Sequence, residues 1–73
     1  NEALILGRPG DVVSLLPLLG AASGVETEGL RYPLNAETLY PDRTRGISNV
    51  LDAPQALVKV AEGMLLCVHF RQI

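Results

Sequence analysis

The side chains best suited to reading a small molecule are Ser48 and Asn49, in the run Gly46-Ile-Ser-Asn49. A hydroxyl beside a carboxamide supplies donors and acceptors that match the edge of a neutral heterocycle, and it equally suits an ordinary hydrogen bond at a strand start. Arg43 and Arg45 lie just before them in Tyr40-Pro-Asp-Arg-Thr-Arg-Gly46, placed either to reach an anionic tail or to stay solvated on a charged loop. Glu26 and Glu28 share a strand face by their period of two, the minimum for holding magnesium or dividing acid and base roles. Nothing in the sequence perturbs either carboxylate, so a solvated face is the reading. His69 falls in an apolar strand opposite Phe70 and reads as a structural histidine. Cys67, two residues away on the same face, has neither a third group nor a cleft beside it and reads as a buried, inert thiol. Gly7-Arg-Pro-Gly10 has glycines but not the rest of a phosphate loop, so it is a turn. No catalytic residue and no metal ligand is assigned.

The elements that must position these groups read as β throughout. Leu4–Leu6 is a short apolar run closed by the Gly7–Gly10 turn, and Val12–Leu18 is a second strand whose Pro17 belongs at a sheet edge or bulge. Val25–Leu30 is strand-compatible, Asn35 is placed to cap a single turn over Ala36–Leu39, and Ile47–Leu51 is the next strand. Alternation through Ala56, Val58 and Val60 resumes at Met64, Leu66, Val68 and Phe70 after Glu62-Gly63. It predicts two strands joined by a tight turn, with Val58, Val60, Met64, Leu66, Val68 and Phe70 facing inward. Leu65 and Cys67 make the second face apolar as well, so another sheet or another subunit is expected to cover it. Short strands, Gly/Pro turns and no lasting helical period predict an all-β fold, a small β-sandwich or open barrel.

Seventy-three residues make one domain, and a chain of this size hides only about 60% of the surface its unfolded form exposes, so help from a partner is expected. No apolar stretch approaches the roughly 18 residues of a membrane span. A net charge of −2 with six Lys and Arg residues gives no footprint for a nucleic-acid backbone. The single cysteine excludes an internal disulfide and suits a reducing compartment; with no targeting leader at the start, the cytoplasm is the expected address. The chain opens Asn1-Glu-Ala without an initiating Met and runs at once into a strand, which reads as a fragment of something larger.

The order Val12-Val-Ser-Leu-Leu-Pro-Leu18, Gly24-Val-Glu-Thr-Glu-Gly-Leu-Arg-Tyr-Pro-Leu-Asn35, Thr38-Leu39, Gly46-Ile-Ser-Asn49 and Gly63-Met-Leu-Leu66 resembles the C-terminal, thiamin-binding domain of thiamin pyrophosphokinases across nearly all of residues 1–73. The resemblance implies a jelly-roll-like β domain preceded in the same polypeptide by a catalytic α/β domain that lies outside this sequence, the complete chain forming a homodimer. It implies pyrophosphoryl transfer from ATP to thiamin with Mg2+, giving thiamin diphosphate and AMP, and an isolated fragment that is inactive and holds no cofactor. Carried over residue by residue, Ser48 and Asn49 match the thiamin-contacting stretch near the dimer boundary, with Gly46 and Ile47 shaping its backbone. Glu28 and Asn35 match organisers of the polar connection. Val50 stands where relatives often carry glutamate or another polar residue, and the chain has no tryptophan, an indole some relatives set against the substrate ring. The competing reading, from two apolar strand faces and small size, is a non-catalytic β interaction module.

Overall fold

A computed structural model describes residues 1–71. The two strands expected within Val12–Leu30 are one, Val12–Glu28, and it organises everything else. In chain order the strands are β1 (Glu2–Leu6), β2 (Val12–Glu28), β3 (Glu37–Leu39), β4 (Asn49–Val50), β5 (Gln55–Lys59) and β6 (Glu62–Phe70). The fold is all-β, one open antiparallel sheet in which β3, β4, β5 and β6 all pair with β2 while β1 joins through β5. The first half of β2 takes β6 along one edge and β4 along the other; its last turn of pairing, Glu26–Glu28, goes to β5.

A strand can serve two sets of partners only if it bends, and β2 bends where its backbone leaves the ordinary β region. Leu19 has φ 58°, Gly20 118° and Gly24 63°, and between Leu18 and Ser23 five residue steps on β2 oppose two on β6. The bulge also breaks the side-chain alternation locally. Val13 and Leu15 point inward before it, Ala22 within it, and Val25 and Thr27 after it, all of them buried. Opposite the bulge, Gly63 has φ 100°, and a Cβ there would stand 2.8 Å from the Cα of Ala22, so only glycine lets the strands approach. Inward residues of both halves meet in one core with Leu30, Leu34, Leu39 and Leu51.

Several local expectations change. β5 and β6 do not form the expected hairpin: β5 pairs with β1 and β2, and β6 runs along β2. In that register Leu65, Cys67 and His69 share a face with Pro17, Leu15 and Val13, whereas Met64, Leu66 and Phe70 are exposed on the opposite side. Val58 is buried as expected and Val60 is half-buried against the core. Apolar residues on both faces of β6 leave alternation unable to choose the inner one. Ala36 takes φ 53° and feeds strand β3, so no helical turn forms after Asn35. The strand expected at Ile47–Leu51 contracts to β4, with Leu51 bridging to Leu30.

Candidate functional site

Two stretches singled out in the sequence, Gly24–Asn35 and Gly46–Asn49, are brought together by one side chain. Asn49 is 3% exposed. Its Oδ1 accepts from the amides of Tyr32 at 3.0 Å and Val50 at 2.9 Å, and its Nδ2 donates to the Tyr32 carbonyl at 2.7 Å. Just before this, the Arg31 amide donates to the Val50 carbonyl at 2.8 Å and Leu30 bridges to Leu51. The carboxamide thus continues as a side chain the ladder that the backbone begins, which satisfies polar groups that burial would otherwise penalise.

The same loop is held at two further points. The Thr27 hydroxyl accepts from the Leu34 amide at 2.9 Å, and the Thr27 amide donates to the Leu34 carbonyl at 3.0 Å. Arg45 grips Glu37 with both arms of its fork, Nε to Oε1 at 3.0 Å and Nη2 to Oε2 at 2.9 Å, while Nη2 also reaches the Pro33 carbonyl at 3.4 Å. Tyr32, Pro33 and Leu34 are therefore each tied to a side chain from outside the loop, and the half-exposed Tyr32 ring projects from a fixed backbone. Arg45 is occupied within the fold. Arg43 lies over the Tyr40 ring, 5.7 Å from its centroid.

Gly46–Asn49 runs beside the first half of β2. The Leu15 amide donates to the Gly46 carbonyl at 2.8 Å, and the Ser48 amide donates to Ser14 Oγ at 2.9 Å. Gly46 is buried against β2, where a Cβ would stand 2.6 Å from the Leu15 carbonyl oxygen. Ile47 and Ser48 are exposed, Ser48 with φ 59°. Ser14 shares the outer face of β2 and β6 with Val12, Leu16 and Leu18, so Ser48 borders that face. Met64, Leu66 and Phe70 leave it broadly apolar and open, at 54%, 45% and 61% exposure.

Clefts also open elsewhere, two of them against the core strands. One of about 360 Å³ lies between Glu26, Glu28, Lys59 and the Pro33–Asn35 loop. Another of about 260 Å³ is lined mostly by apolar groups, including Ile5, Leu15, Val58 and Leu65. Neither includes Gly46, Ile47, Ser48 or Asn49. Among the described residues, no three His, Cys, Asp or Glu side chains gather where they could share a metal ion.

The turn expected at Gly7–Gly10 forms over Arg8-Pro9-Gly10-Asp11, with Gly10 at φ 98° and the Asp11 amide donating back to the Arg8 carbonyl at 3.0 Å. It presents Asp11, 1% exposed, to the Arg8 amide at 3.0 Å and to His69 Nε2 at 2.7 Å. His69 is thus the satisfied structural histidine expected. Cys67 is not buried: it is exposed, although partial desolvation pushes its thiol pKa up. Sequence reasoning missed Thr27 and Glu37 as organisers. Thr27 did leave a signal, a lone hydroxyl between two acidic residues at the period that turns it inward.

The sequence profile of the family described as "Thiamin pyrophosphokinase, vitamin B1 binding domain" matches residues 4–65. The chain belongs to that family. No curated protein matches it. Among solved structures it is similar to the thiamine pyrophosphokinase of Bacillus subtilis, at 22% identity and a TM-score of 0.88, covering 100% of this chain and 35% of that one. It is also similar to the thiamin pyrophosphokinase of Geobacillus thermodenitrificans, at 17% identity and a TM-score of 0.78, covering 99% and 34%. The chain therefore spans about a third of the length of those proteins, and at such identities the likeness is one of fold.

Proposed function

We propose that this chain is the acceptor-holding part of an enzyme that transfers a pyrophosphoryl group from ATP to thiamin, yielding thiamin diphosphate and AMP. The observation that carries the reading is the family match over residues 4–65. Thiamin lies against Gly46–Asn49, where the Ser48 hydroxyl and the Ile47 side chain are exposed while Gly46 and Asn49 hold the stretch in place. Magnesium and ATP belong to an α/β domain upstream in the same cytoplasmic polypeptide; among the described residues no three His, Cys, Asp or Glu side chains gather to share a metal ion. Dividing the work is physically sensible: charge neutralisation sits on one domain and orientation of the acceptor on the other.

In this reading a second copy covers the outer face of β2 and β6. Its exposed Met64, Leu66 and Phe70 are costly for a small domain to leave wet, and Ser48 at its border puts the acceptor stretch beside the subunit boundary. The same face favours the alternative of an interaction module that docks a different protein.

The test is thiamin binding and magnesium-ATP-dependent formation of thiamin diphosphate by the complete encoded polypeptide, with the 73-residue chain beside it. Turnover by the complete polypeptide alone is expected. A folded complete polypeptide that neither binds nor converts thiamin overturns the reading and leaves the interaction module.

A further inference from the structure

Resting on the thiamin-binding reading, we infer that Asn49 is a positioning residue: it serves the ligand through the Tyr32–Leu34 loop and not by touching it. Both ends of its carboxamide are committed, Oδ1 to the Tyr32 and Val50 amides and Nδ2 to the Tyr32 carbonyl, and the side chain is shut away from solvent. A ligand contact through Oδ1 would need that carboxamide to turn and to leave the part-buried amide and carbonyl of Tyr32 without this partner, and at 3% exposure the remaining Nδ2 hydrogen is out of a ligand's reach. Ser48, its neighbour, is the exposed member of the pair.

The loop that Asn49 grips is fixed far beyond what a surface connection of three residues needs. Asn49 holds Tyr32, Arg45 holds Pro33 and Thr27 holds Leu34. Three side chains, one from β2 and two from the Arg45–Asn49 stretch, converge on consecutive residues, and the exposed groups they fix are the Tyr32 ring and Pro33. Such a loop has lost its conformational freedom before anything binds, which removes an ordering cost from association. Thr27, on the far side of the loop from Asn49, belongs to the same device, so it affects thiamin for the same reason although no motif marks it.

The experiment compares Asn49→Ala, Thr27→Val and the double variant in the complete polypeptide, reading thiamin KM and kcat together with amide hydrogen exchange at Tyr32 and Leu34. Each single variant is expected to raise KM about tenfold with kcat nearly unchanged and to speed exchange at the loop amides, as a loss of uniform binding requires. The double variant is expected to add less than the product of the two, because one broken clamp already frees the loop. Raised KM with the Tyr32 amide as protected as before would make Asn49 a direct contact and overturn the inference. So would a freed loop with unchanged KM. Thr27→Val keeps shape and removes only the hydroxyl, so it decides the matter if Asn49→Ala does not fold. A wild-type polypeptide that takes no thiamin refutes the functional reading itself, and this inference with it.

Discussion

Gly46→Ala tests whether the acceptor stretch is held by backbone packing. The new Cβ would stand 2.6 Å from the Leu15 carbonyl oxygen and 3.1 Å from Leu39 Cδ1, so strand or loop must give by about 0.8 Å to reach the 3.4 Å of an ordinary contact. The Leu39 methyl can turn aside, but the carbonyl belongs to the middle of β2 and cannot. A shift of that size stretches the 2.8 Å bond from the Leu15 amide to the Gly46 carbonyl past any useful length. Overpacking and a lost partner for a buried amide each cost about 1–3 kcal/mol; because one movement relieves the first by incurring the second, the total is about 2–4 kcal/mol. For a domain of this size that lowers Tm by roughly 10–30 °C. Thermal unfolding followed by tyrosine fluorescence measures it, since the chain has two tyrosines and no tryptophan. A midpoint within about 3 °C of wild type would refute the argument, because the loop would then be free to move off β2 without penalty.

Arg45→Lys keeps the charge but loses the two-armed grip on Glu37 and the reach to Pro33. With both side chains partly exposed it is expected to cost only about 0.5–1 kcal/mol in urea denaturation, less at high salt. In the dimer proposed above, Leu66→Glu, at 45% exposure on the outer apolar face, is expected to separate the copies in light scattering without unfolding either; a dimer that survives it uses another surface. Cys67 is expected to react more slowly with a disulfide reagent at neutral pH than a fully solvated thiol despite its exposure, its rate climbing at higher pH than a free thiol's because desolvation raises its pKa. Desolvation raises its folded pKa, so the fold binds this proton more tightly than the unfolded chain does. Its contribution to stability is complete below the ordinary thiol range and falls away as pH rises through the raised value.

The all-β class was legible because it depends on local chemistry: β-branched and apolar runs, and turns such as Arg8-Pro9-Gly10-Asp11 whose residues dictate their own geometry. What failed depends on partners distant in the chain. Period-two patterning assigns a face only when one side is polar, and Met64–Phe70 is apolar on both, so its orientation followed from pairing with β2 and not from its own sequence. The long β2 was hidden by its bulge, since the glycines that seemed to end two strands are the residues that let one strand continue. At the site, Ser48 and Asn49 drew notice as adjacent polar residues, but Ser48 ends a turn at φ 59° while Asn49 begins β4. One faces solvent and the other faces Tyr32, a distinction that needs the Gly24–Asn35 segment to be in place.

The dependence of nearly every strand on β2 also governs when the domain can come into being. β2 is synthesised early, yet the residues that complete its long edge lie in β6, and the contact between Asp11 and His69 spans 58 positions. β3 folds back only on the second half of β2, at Ala22 and Val25, and β5 and β6 each seek β2 and not one another. A growing chain therefore acquires β3, β4 and β5 as partners of β2 first, and the apolar edge of β2 from Val12 to Leu18 waits for β6 to emerge.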